Sequence, residues 1–251
     1  MQFAKAITQA KIAKEYVFCQ RILWIKPNKN AIIFEDKILF QKKFDNVLKF
    51  HAEGLASVKD KTGWYHINME GNPIYKERYK RAFGYYFDRA AVVNENNEWF
   101  HIDKNGKVIF EKRHAWCGNF QENICTVRDF DNNYFYINNL GKRINSKNYI
   151  YAGDFKNGYA VVKIKDGFYK HINKFGDDLN GVFFKDLGVF HKSFAIAKDK
   201  KGWFHIDKKG KSLYKERYLM IEPFYNGFAL VETYKNRKLI INEIGSKIIE
   251  V

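Results

Sequence analysis

A chain of 251 residues with 46% hydrophobic and 18% aromatic side chains can bury a sizeable core and is too apolar to be disordered. Its formal charge of +16 favours anionic partners, but lysine far outnumbers arginine, the residue suited to bidentate phosphate and base contacts, which weighs against nucleic acid. Cys19, Cys117 and Cys125 are odd in number and lack close-pair spacing, so neither a disulfide framework nor a zinc site is indicated.

The amino terminus has no apolar core of a secretory signal, and no stretch approaches the roughly 18 apolar residues of a membrane-spanning helix. A cytoplasmic protein with no membrane insertion is expected. From residue 63 onward one motif recurs. Gly63-Trp64-Tyr65-His66-Ile67-Asn68 closes at Gly71, and Trp99-Phe100-His101-Ile102-Asp103 closes at Gly106. Weaker copies end at Gly141 and Gly176, a strong one runs Gly202-Trp203-Phe204-His205-Ile206-Asp207 to Gly210, and a degenerate one ends at Gly245. The glycines step by 35, 35, 35, 34 and 35 residues, which defines a repeat architecture.

A second marker keeps the same period. An aromatic precedes a small residue by five positions: Tyr86 before Ala91, Phe120 before Cys125, Phe155 before Ala160, Phe190 before Ala195 and Phe224 before Ala229. His51 takes that place before Ala56, and Tyr16 before Arg21 marks an eroded first copy, with Ala31, Ile32 and Asp36 at its key positions. Seven repeats result. Within each, the alternation in Phe228-Ala229-Leu230-Val231 reads as one strand and the Trp-x-His-Ile-Asp segment as the next. Asp207-Lys208-Lys209-Gly210 has turn chemistry, Ser212-Leu213-Tyr214 reads as a third strand, and Tyr218-Leu219-Met220-Ile221 as a weak fourth.

A lone repeat of this kind cannot bury both faces, so the repeats must stack. The fold class is all-β, a repeat protein of seven ~35-residue units. The chain is read as one domain over 1–251 in a closed seven-bladed β-propeller, with an open β-solenoid as the alternative. The segment 1–15 would close the ring by pairing with 245–251, removing exposed strand edges.

These motifs resemble the WG-repeat (KWG-repeat) family of mainly bacterial proteins. Trp203, Ile206, Asp207 and Gly210 match the first half of its pattern. The second half is matched by Phe155-Lys156-Asn157-Gly158-Tyr159-Ala160-Val161-Val162 and by His51 to Val58. The chain departs from the pattern in one column, where Tyr65-His66, Phe100-His101 and Phe204-His205 follow the tryptophan. The resemblance implies a repeat binding or scaffold module, and no single activity belongs to the family.

Two columns carry the candidate chemistry. His66, His101, His171 and His205 share one position, with Tyr136 as a fifth member. Imidazoles repeated around a ring could bind a metal or an anion, or each could instead bond its own blade or a neighbouring carbonyl. Arg78, Arg113 and Arg217 share another position and are three of only nine arginines, as an anion site on one sector would need; pairing with acidic neighbours is the alternative. The chain lacks GxSxG, P-loop, HExxH and paired-carboxylate motifs, so a non-catalytic module is favoured, with no catalytic residue, metal or cofactor assigned. The expected partner of this monomer is another protein or an anionic ligand bound to a basic face. An enzyme with a site at the axial opening, and a nucleic-acid or glycan binder, are the competing readings.

Overall fold

The computed structural model describes residues 44–51 and 54–251, together with the strands at Ile33–Phe34 and Lys37–Ile38. The segment 1–15 expected to close a ring lies outside the described residues, as do Tyr16, Arg21 and Cys19. Among the described residues there is no helix. The protein is an all-β repeat protein of small antiparallel sheets.

β1 (Ile33–Phe34) and β2 (Lys37–Ile38) form a short antiparallel pair. Three-stranded sheets follow in chain order: β3 (Asn46–Val47), β4 (Ala56–Asp60) and β5 (Gly63–Ile67), then β6 (Arg81–Tyr86), β7 (Arg89–Val93) and β8 (Trp99–Ile102). Next come β9 (Trp116–Gln121), β10 (Ile124–Arg128) and β11 (Tyr134–Asn138), and then β12 (Tyr151–Ala152), β13 (Tyr159–Lys163) and β14 (Tyr169–Asn173). β15 (Asp186–Leu187), β16 (Ala195–Asp199) and β17 (Gly202–Ile206) make another. The last sheet has four strands, β18 (Met220–Ile221), β19 (Phe228–Glu232), β20 (Lys238–Asn242) and β21 (Lys247–Glu250). The chain divides into two compact units, residues 1–120 and 121–251, and the division falls inside β9.

Local chemistry explains two of the hairpins and the turn that follows each Trp-containing strand or its equivalent. Between the first two long strands, Asn157-Gly158 and Asn226-Gly227 both take positive φ (52° and 82°; 50° and 84°), the backbone of a tight primed turn that matches strand twist. After the Trp-containing strand the side chain of Asp207 accepts hydrogen bonds from the Lys209 and Lys211 amides, both at 2.9 Å. Gly210 then adopts φ +74°, and the same arrangement recurs at Asn68, Asp103, Asn138, Asn173 and Asn242. Glycine is needed at this turn for a second reason. A Cβ on Gly106 would lie 2.6 Å from the Tyr75 ring, and one on Gly245 equally close to Tyr214, so the turn of one repeat packs on an aromatic of the repeat before it.

The central strands supply the core. Opposite pairs such as Cys125 with Ile137, Ala160 with Ile172 and Ala229 with Ile241 are buried, the small residue leaving room for the rings above it. Two details differ from the expected pattern. In the two earliest described copies the buried ring comes one residue sooner, at Phe50 and Tyr85, while His51 and Tyr86 are half-buried and pack on each other at 4.7 Å. A register shift between Ala82 and Tyr85 in β6 takes up the displaced residue.

The expected third strand also fails in most repeats. Ser212-Leu213-Tyr214 belongs to an arch, 212–218, that forms backbone bridges to β17 only at its ends, from Ser212 to Ile206 and from Tyr218 to Trp203. Equivalent arches stand at 73–79, 108–114, 143–149 and 178–184. Only after Gly245 does the chain run on as a true strand, β21.

Candidate functional site

The histidine column faces inward. His66, His101, His171 and His205 are at most 2% exposed. Each sends Nε2 to a carbonyl seventeen residues on, in or just after the first strand of the following repeat: Phe83 at 2.7 Å, Gly118 at 3.0 Å, Gly188 at 2.9 Å and Glu222 at 2.9 Å. Tyr136 makes the same joint with its hydroxyl, to the Gly153 carbonyl at 2.7 Å. A carbonyl only accepts, so Nε2 must carry the proton. Nδ1 is then an acceptor, and for His66 and His205 it takes a hydrogen bond from the hydroxyls of Tyr75 and Tyr214. Burial lowers all four imidazoles to a pKa of about 4, leaving them neutral at neutral pH. Each ring also packs on the buried aromatic of the next repeat, as His205 stacks on Phe224 at 3.8 Å and His171 on Phe190 at 4.2 Å. The arrangement joins repeats and presents no imidazole to solvent.

The arginine column lies on the arches and is half-buried. Arg217 stands 3.6 Å from the centroid of Phe204, Arg78 3.8 Å from that of Tyr65, and Arg113 4.1 Å from that of Phe100. Each guanidinium donates to carbonyls of its own arch: Arg217 to Lys215 and Glu216, Arg78 to Lys76 and Glu77, Arg113 to Phe110 and Glu111. Arg217 also binds Asp199 at 2.8 Å. The side chain thus lies flat on a ring and gathers carbonyls that have no strand partner, the planar fork doing what an ammonium could not. Histidines and arginines are not brought together in one place.

A different set of residues converges at a cleft in the first unit. It has a volume of about 470 Å³ and is lined by Asn46, Leu48, Lys59, Trp64 and residues 80–83. Lys59 is directly opposite Trp64 in the β4–β5 register, and Lys59, Lys80 and Arg81 are all exposed. Among the described residues no carboxylate lines it. Phe83, stacked on Trp99 at 5.0 Å, forms the far wall. The motif of a cation beside a half-exposed ring recurs in the second unit, where Lys198 lies 5.3 Å from the centroid of Trp203 and Arg128 5.8 Å from that of Tyr134.

The sequence patterns draw attention to positions that stay constant between repeats, whereas this cleft, apart from Trp64, uses positions that vary. Asn46, Arg81, Trp116, Tyr151, Asp186 and Met220 occupy one column, and its changing chemistry was the available signal. Among the described residues no group of three or more metal-ligating side chains converges, and no helix is long and apolar enough to cross a membrane.

Fold and site together define an all-β module of repeats pinned to one another by buried polar side chains. The WG-containing repeat family model matches residues 99–134, 134–168 and 203–236, so these segments are similar to WG-containing repeats. No curated protein matches the sequence. Among solved structures, a eukaryotic initiation factor is similar with a TM-score of 0.57 at 11% identity, covering 86% of this chain and 68% of that one. BamB from Moraxella catarrhalis has a TM-score of 0.49 at 11% identity over 92% of this chain and 84% of its own. Hsv2p of Kluyveromyces lactis has a TM-score of 0.43 at 12% identity over 76% and 71%.

Proposed function

We propose that the protein is a non-catalytic WG-repeat binding module whose first unit takes an anionic group, a carboxylate or phosphate presented by a partner, in the cleft beside Trp64. The observation that supports this is the convergence of Lys59, Lys80 and Arg81 on a cleft with an aromatic wall and, among the described residues, no carboxylate. Lys80 already donates to Asn97 at 2.7 Å, which holds its ammonium at the rim. The net charge of +16 would speed the approach of such a partner. On this reading the histidine and arginine columns are the frame, and the ligand contacts belong to positions that differ from repeat to repeat.

The experiment is a titration of the full chain with a short polyglutamate peptide and, separately, with inorganic pyrophosphate, at rising salt. Binding should weaken steeply as salt shortens the Debye length from about 10 Å at 0.1 M. Binding of neither probe at low salt would remove the proposal. The seven-repeat count of the sequence further leads us to propose closure into a seven-bladed ring; scattering in solution fitted to closed and open forms tests it.

A further inference from the structure

We propose that the second unit carries a saccharide-binding cleft at the repeat position that forms the basic cleft in the first. This cleft has a volume of about 720 Å³ and lies entirely within residues 121–189. It is built from equivalent positions with different chemistry. Tyr169 stands where Trp64 does, Tyr151 replaces Asn46, and Asp186 replaces Arg81. Gly153 and Gly188 stand at the places of Leu48 and Phe83, and the loss of those two side chains opens the floor.

That floor is rigid. The Gly153 carbonyl receives the Tyr136 hydroxyl and the Gly188 carbonyl receives His171, so the two glycines are held by the joints between repeats. Above it Tyr151 is 47% exposed, its ring 6.1 Å from that of Tyr134. Asp154 and Asp186 face the cleft, and among the described residues neither has an ion-pair partner. Asp154 has only a 3.5 Å contact with the Thr126 hydroxyl, and Asp186 accepts from the Leu187 amide at 2.8 Å. Their remaining lone pairs are open to a ligand.

The mixture of charges selects the ligand class. Two carboxylates oppose an anion. Lys156 in the lining, with Lys163 placed 5.1 Å from the Tyr169 centroid, opposes a cation. A neutral polyol suits both: hydroxyls donate to the carboxylates and accept from the ammonium groups, while the apolar face of a pyranose rests on a tyrosine ring. The volume falls within the roughly 300–1,000 Å³ usual for small-ligand sites.

The test uses the full chain with maltose, cellobiose, chitobiose and galactobiose, each followed by saturation-transfer NMR and then calorimetry. At least one should bind, with an affinity unchanged between about 50 and about 500 mM salt. Tyr151→Ala and Asp154→Ala, both at exposed positions, should each weaken it at least about tenfold, whereas Lys59→Glu should leave it intact. Absence of binding by all four sugars would overturn the proposal. So would binding that survives the Tyr151→Ala, Asp154→Ala double change, or a cleft that takes arginine methyl ester or pyrophosphate instead. Loss of polyglutamate binding on Lys59→Glu, with sugar binding retained, separates this site from the anion cleft.

Discussion

Lys170 stands over the ring of Phe183, its Nζ 5.5 Å from the centroid, and so inverts the pair that Arg217 and Phe204 make one repeat later. Position 170 belongs to the column of Tyr65, Phe100 and Phe204, and position 183 to the column of Arg78, Arg113 and Arg217. Cation and ring have exchanged strands while the contact has been kept. The repeat before Lys170 shows another solution: Asn148 fills the arginine column, and Arg143, from the opposite leg of the same arch, lies 4.1 Å from the Phe135 centroid and donates to the Lys147 carbonyl. Five arches therefore have a cation on a ring by three different routes, which is what a structural requirement produces.

The inversion should be reversible. Lys170→Phe removes both this pair and the 2.6 Å ion pair with Asp178, and Phe183→Arg sets two cations against each other. Each alone should cost about 1 kcal/mol, and the double change should recover part of that, giving a coupling of about 0.5–2 kcal/mol. Denaturant unfolding of the four proteins in the cycle measures it, and strictly additive losses would show that the pair is incidental.

Buried neutral histidines make stability depend on acid. Their folded pKa of about 4 lies below the ordinary 6.5, so the unfolded chain binds more protons between those values and stability falls as pH drops through that window. The melting temperature should be flat above pH 6.5 and decline toward pH 4, before most carboxylates titrate. A melting temperature unchanged from pH 7 to about 4.5 would contradict the inward placement of the column.

His171→Tyr is the substitution the protein has already made elsewhere. Tyr136 holds that column in a repeat with Asn145 at the position of Tyr75 and Tyr214, and the repeat of His171 likewise has Asn180 there, with no partner on the His171 Nδ1. The variant should fold with a stability change within about 1 kcal/mol and show a shallower acid decline. The same change at His205 should cost more, because the Tyr214 hydroxyl would lose its acceptor.

The frame was legible in the sequence because the turns are chemically strict. The glycines at 71, 106, 141, 176, 210 and 245 all have φ between 72° and 81°, and the Asx residue three before each binds its own turn. The arches were not legible, since Ser212-Leu213-Tyr214 has strand-like composition and only its lack of continuous ladder bonds sets it apart. The buried ring at Tyr85 was missed because a bulge shifts the spacing by one, and both Tyr85 and Tyr86 fit the pattern. The cleft residues escaped because Lys59, Lys80 and Arg81 are ordinary surface cations until the fold sets them around Trp64.

The turn at Phe87-Asp88, like those at Glu122-Asn123 and Lys192, departs from Asn-Gly chemistry. Phe87 and Asp88 both have positive φ, 51° and 62°, where Asn-Gly serves other repeats, and Phe87 is 51% exposed. Replacing the pair by Asn-Gly should add about 0.5–1 kcal/mol and raise the melting temperature by about 2–4 °C. A lowered melting temperature would mean that the Phe87 side chain contributes more than its exposure indicates.

The account rests on separating frame from ligand contacts, and one comparison tests that directly. Polyglutamate binding would be measured by calorimetry for the unaltered chain, Arg217→Ala and Arg81→Glu, with unfolding curves alongside. Arg217→Ala should lose about 1–2 kcal/mol of stability and bind as before, while Arg81→Glu should keep its stability and bind at least about tenfold more weakly. Loss of binding on Arg217→Ala with Arg81→Glu unaffected would return the arginine column to the ligand and contradict the assignment of the cleft.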